Sequence, residues 1–116
     1  MKVEIRVTES FKRASRPLIR RHRSFLDDLL RLEAELKVDP RSGTSLGGNV
    51  FKVRLKIASK SKGKSGGARV ITLVEIEETV EKRKVQQTIV NLLTVYDKSD
   101  QGDISDAQLK KLVAAA

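Results

Sequence analysis

FKVRLKI, residues 51–57, is the stretch from which the fold can be read. Phe51, Val53, Leu55 and Ile57 alternate with Lys52, Arg54 and Lys56. Successive side chains of a strand point to opposite faces, so this pattern predicts a strand with one apolar and one cationic face. SKSKGKSGG (59–67) then reads as a turn, with Gly66 and Gly67 supplying positive φ. ARVITLVEIE (68–77) reads as a second strand, apolar on both faces and therefore central in a sheet. After the charged turn EETVEKRK, VQQTIVNLLTVYDKS (85–99) supplies a third strand rich in β-branched residues.

Upstream, KVEIRV (2–7) alternates with period two and predicts a first strand. Thr8 is placed to cap a helix holding Phe11, Leu18 and Ile19, with Pro17 either kinking it or starting its second part. Ser24 is placed to cap a second helix, with Asp27 at its third position. Phe25, Leu26, Leu29, Leu30, Leu32 and Leu36 form its apolar stripe, and Pro40 ends it. RSGTSLGGN reads as a loop. Downstream, Ser105 and Gln108 form a capping box, flanked by the staple pair Ile104 and Leu109. The order is β-α-α-β-β-β-α, an α+β domain spanning residues 1–116.

Composition narrows the chemistry. The 116 residues include no cysteine, which excludes disulfides and thiolate metal sites. MKVEIRV lacks the apolar region of a signal peptide, and no apolar run reaches membrane-spanning length. A cytoplasmic protein without membrane contact is expected. The formal net charge is +9. Residues 1–65 carry 17 Lys/Arg against 7 Asp/Glu, whereas residues 66–116 carry 7 against 8. A basic front half favours a polyanionic partner, nucleic acid before acidic protein.

KGKSGGARVI (62–71) contains Gly63-Lys64-Ser65, the end of a phosphate-binding loop. Ala58 stands where that loop needs its first glycine, and a strand follows where it needs a helix. The loop is rejected. The alternative is a basic hairpin: Lys52, Arg54 and Lys56 on one strand face, Arg69 on the next strand. Stacked like charges repel unless an anion fills the space. No metal cluster is legible, and the one histidine, His22, reads as a surface residue. Arginines and lysines can promote RNA cleavage without metal. The 2′-hydroxyl attacks its own phosphate, and cations stabilise the charge on the phosphorane.

FKVRLKIA, GKSGGARVI and LLTVYDKSD…IS…L, in this element order, resemble the RelE/ParE toxin superfamily, its RelE/HigB-like branch most closely. The resemblance spans nearly the whole chain. It implies a small, mainly antiparallel sheet packed on a two-helix hairpin. It also implies a type II toxin: a metal-independent, ribosome-dependent mRNA endonuclease, held in check by a cognate antitoxin protein. Ribosome and mRNA are the implied partners, with no metal and no small-molecule cofactor. By position, Lys52 and Arg54 match the family's basic pair, Arg69 its phosphate-holding arginine, and Lys98 a further basic position. The family's C-terminal tyrosine falls where this chain reads Asp103-Ile104-Ser105, leaving Tyr96 as the candidate phenol. Lys56, Lys62, Lys64, Arg20 and Arg21 are expected RNA-docking groups. Two other readings stay open: a ParE-like, non-nuclease inhibitor of DNA gyrase, and a non-catalytic RNA-binding module.

Overall fold

The computed structural model describes residues 2–59, 67–78 and 86–116. The order is β1 (Lys2–Val7), α1 (Glu9–Arg21), α2 (Phe25–Val38), β2 (Thr44–Gly47), β3 (Val50–Leu55), β4 (Ala68–Glu78), β5 (Gln86–Asp97) and α3 (Asp106–Ala115). The strands form one sheet in the order β1-β5-β4-β3-β2. β1 runs parallel to β5, and the other three pairings are antiparallel. The chain is therefore α+β, and β4 is flanked on both sides, as its two apolar faces require.

The two faces of the sheet are covered unequally. On one, Phe11 and Leu18 of α1 and Phe25, Leu32 and Leu36 of α2 pack on Phe51, Val53, Leu55, Val70, Val74, Val90, Leu92 and Val95. On the other, Val50, Ile71, Leu93 and Tyr96 lie under Ile104, Leu109, Leu112 and Val113. No residue of α3 is itself fully buried, so this second layer is thin.

The helix signals act as their chemistry dictates. The Thr8 hydroxyl accepts from the Phe11 N–H at 3.2 Å and donates to the Leu92 carbonyl at 2.8 Å, so the cap also ties α1 to β5. α1 runs unbroken through Pro17. The capping box of α3 is complete: Ser105 Oγ accepts from the Gln108 N–H, and Gln108 Oε1 accepts from the Ser105 N–H.

Four readings of the sequence are corrected. The expected loop RSGTSLGGN contains β2. Gly47 pairs with Val50, and the two residues between them, Gly48 and Asn49, have φ of 59° and 64°. Positive φ at both centres is the tight-hairpin geometry that Gly-Asn supplies, and it folds Thr44–Gly47 back on β3. Ser24 occupies the N-cap of α2 but makes no capping bond; its hydroxyl instead donates to Asp28 at 2.6 Å. The apolar stripe of α2 is wider than the face the sheet can cover. Leu26 and Leu30 are 55% and 64% exposed, while Phe25, Leu32 and Leu36 are buried. His22 is not a surface residue. Its side chain is 12% exposed and its Nε2 lies 3.4 Å from the buried Asp97 carboxylate.

Residues 60–66 and 79–85, among them Lys62, Lys64 and Gly66, lie outside the described residues. Gly67 is described, at φ 56°. A Cβ there would come within 2.6 Å of the Leu55 carbonyl oxygen. Gly67→Ala is therefore expected to destabilise the chain by about 2 kcal/mol through strain and crowding. A thermal melt should read this as a Tm lowered by roughly 8 °C.

Candidate nucleic-acid interface

Register brings three candidate residues into line. Arg54 of β3 stands opposite Arg69 of β4, and Arg69 stands opposite Tyr96 of β5. Adjacent strands are ~4.8 Å apart, so the three form a row across the sheet. Lys52 lies two residues along β3 from Arg54, on the same face. Two arginines directly opposed concentrate positive charge at this point of the sheet.

The row owes its third member to a bulge. Between Ile71↔Thr94 and Thr72↔Leu92, β5 contains one extra residue, Leu93. If β5 paired without this bulge, Val95 would stand opposite Arg69, and Tyr96 would share the face of Leu92 and point toward α1 and α2. With it, Tyr96 joins Leu93 on the α3 side, the face of Arg69.

The members differ in setting. Arg54 is exposed. Arg69 is half-buried, and its Nη1 donates to the Ala68 carbonyl at 3.1 Å. Tyr96 is 8% exposed, and its hydroxyl makes no hydrogen bond of ordinary geometry. Burial, followed by the nearby Asp103 charge, pushes the phenol's pKa above its usual value.

Asp103 is the residue that sequence reasoning missed. It lies in the segment between β5 and α3, and its carboxylate is 3.5 Å from Lys52 Nζ. The Ile104 N–H, donating at 2.8 Å, and then the Lys52 charge hold its pKa below the ordinary carboxylate value. No local periodicity marks a loop residue of this kind. The available signal was its position, where the resemblance places a tyrosine.

The remaining candidates stand apart from the row. Lys56 is exposed beyond the end of β3. Lys98 is exposed in the turn after β5, its backbone N–H donating to the Gly67 carbonyl at 3.0 Å. Arg20 is exposed at the end of α1, the helix covering the opposite face of the sheet. Arg21 pairs with Asp100 at 2.7 Å, which raises the pKa of its guanidinium. These residues can bind a polyanion at a distance but do not share the row. Among the described residues, no three His, Cys, Asp or Glu side chains converge as a metal site, and no helix is long and apolar enough to cross a membrane.

Chemically, the arrangement joins three cations, a phenol that stays protonated and a carboxylate that stays ionised. Such a set can hold a phosphate, stabilise added charge on it and exchange protons with its oxygens. No family model matches the chain.

Proposed function

We propose that this chain is a metal-independent RNA endonuclease, a toxin of the RelE type that cuts mRNA on the ribosome in the cytoplasm and is restrained by a cognate antitoxin protein. The observation that carries the reading is the row Arg54–Arg69–Tyr96 with Lys52 beside it. Arg54 and Arg69 would clamp the scissile phosphate. The 2′-oxygen would attack phosphorus, forming a 2′,3′-cyclic phosphate as the bond to the 5′-oxygen breaks. Asp103 would take the 2′-hydroxyl proton, and Tyr96 would give a proton to the leaving 5′-oxygen. The arginine charges would act on the phosphorane, where negative charge accumulates.

The pKa directions give this mechanism a pH signature. Asp103 is held low and Tyr96 is pushed high, so the required forms coexist across the neutral range. Single-turnover cleavage should be flat from about pH 5 to pH 9, relative to ordinary values of ~3.9 for Asp and ~10 for Tyr. It should fall below this range as Asp103 protonates and above it as Tyr96 ionises. A single steep transition near neutrality would remove this acid–base pair.

Mapping RNA 5′ ends after a brief expression pulse tests the function itself. New ends inside translated codons are expected. Growth arrest without new ends would favour the gyrase-directed reading, and neither effect would leave a non-catalytic RNA-binding module.

A further inference from the structure

β1 stops pairing with β5 at Val7↔Leu92, and past that point a cavity of about 320 Å³ opens along the edge of β5. Its size is at the lower end of small-molecule sites (~300–1,000 Å³). Ala14, Leu18, Val95 and Ile104 give it apolar walls, and Leu18 and Val95 are buried. Arg21 and Asp100, paired at 2.7 Å with their side chains about half exposed, form a polar rim. Tyr96 lines the cavity and is also the last member of the basic row. Its buried hydroxyl makes no hydrogen bond of ordinary geometry and lies beside the Asp103 carboxylate. Tyr96 is thus shared by the cavity and the row, with Arg69 one strand spacing (~4.8 Å) away on β4.

We propose that this cavity takes a nucleobase of single-stranded RNA, guanine by preference, while the adjoining phosphate rests on Arg54 and Arg69. The inference rests on the RNA reading of the row. The apolar walls suit the faces of a planar heterocycle, and the polar rim suits its edge. Guanine presents the O6 acceptor beside N–H donors, and Arg21 with Asp100 presents a donor beside an acceptor. An exposed ion pair contributes little to stability, so redirecting it to a ligand costs little.

Amide NMR of the full chain tests this with guanosine 5′-monophosphate, the three other ribonucleoside monophosphates and inorganic phosphate as probes. Phosphate should move resonances around Arg54 and Arg69 alone. The guanine nucleotide should also move those of residues 14–21 and 94–104, binding about tenfold more tightly than the other three. Ala14→Phe, which fills the cavity, should abolish the second set of shifts and keep the first. Arg21→Leu, at an exposed site, should weaken the guanine nucleotide about tenfold with an unchanged melt. Four equal nucleotide affinities, guanine-nucleotide shifts no wider than those from phosphate, or unchanged binding in both variants would overturn the proposal. A row silent to phosphate would overturn the RNA reading beneath it as well.

Discussion

Arg69→Ala is expected to lower RNA cleavage by about 10²–10³-fold while leaving the fold in place. Arg69 stands at the centre of the row, opposite Arg54 on one side and Tyr96 on the other. In the proposed reaction, a phosphate held there would meet its guanidinium where charge develops. Losing one preorganised donor to such a centre costs on the order of 3–4 kcal/mol in the transition state. Arg69 is only half-buried, and the substitution keeps the buried Val70 and Ile71 of the same strand. Arg69→Lys should recover part of the rate, because it keeps the charge but loses the planar fork that grips two oxygens. The measurement is single-turnover cleavage beside a thermal melt. Unchanged cleavage in Arg69→Ala would remove the row from the chemistry. A melt lowered as far as the rate would make Arg69 structural.

Asp28→Ala is expected to destabilise the chain by about 3 kcal/mol, the largest stability effect of any polar substitution considered. Asp28 is 1% exposed. Its carboxylate accepts from Ser24 Oγ at 2.6 Å and from the Ala58 N–H at 3.1 Å, and it pairs with Arg31. Ser24 and Ser59 bond one another, so the knot fastens the start of α2 to the chain leaving β3. Removing the carboxylate takes the charged acceptor from the Ser24 hydroxyl and the Ala58 N–H, and each hydrogen bond to a charged group contributes roughly 1.5–3 kcal/mol. Burial pushes the Asp28 pKa up, but the Ser24, Arg31 and Ala58 bonds outweigh it and hold the folded value below the ordinary one. A lowered folded pKa adds stability that is present above the unfolded pKa of ~3.9 and is lost as pH falls through the folded value. Chemical denaturation should therefore separate wild type from Asp28→Ala at pH 7, with the gap narrowing as pH falls below the unfolded pKa of ~3.9. A gap of unchanged size in acid would mean that packing, not the ionised carboxylate, is what Asp28 supplies.

The elements that local chemistry specifies were legible in the sequence. Period-two alternation marked β1 and β3, the Thr8 cap and the Ser105–Gln108 box marked two helix starts, and Val38-Asp39-Pro40 marked the end of α2. Each is a signal confined to a few adjacent residues. The hairpin of β2 was equally local, but its Gly48-Asn49 turn was hidden in a stretch whose glycines and serines read as loop. The α2 stripe misled for a different reason. Hydrophobicity says which residues could be buried, not how much of a helix the sheet has room to cover, and Leu26 and Leu30 remain outside.

By itself the sequence determined the cations of the candidate site and the strands that carry them. Lys52 and Arg54 could share a face only because they are two apart in an extended chain. Which residues meet them was decided by tertiary structure alone. The approach of Asp103 to Lys52 depends on where the segment after β5 crosses the sheet. The place of Tyr96 depends on a single extra residue in β5. Strand side chains alternate with a period of two, so one bulged residue moves everything beyond it to the other face. Leu93 is that residue, and it turns Tyr96 from the helix-packed core toward Arg69. No pattern within β5 records the shift, because it exists only in the pairing of β5 with β4.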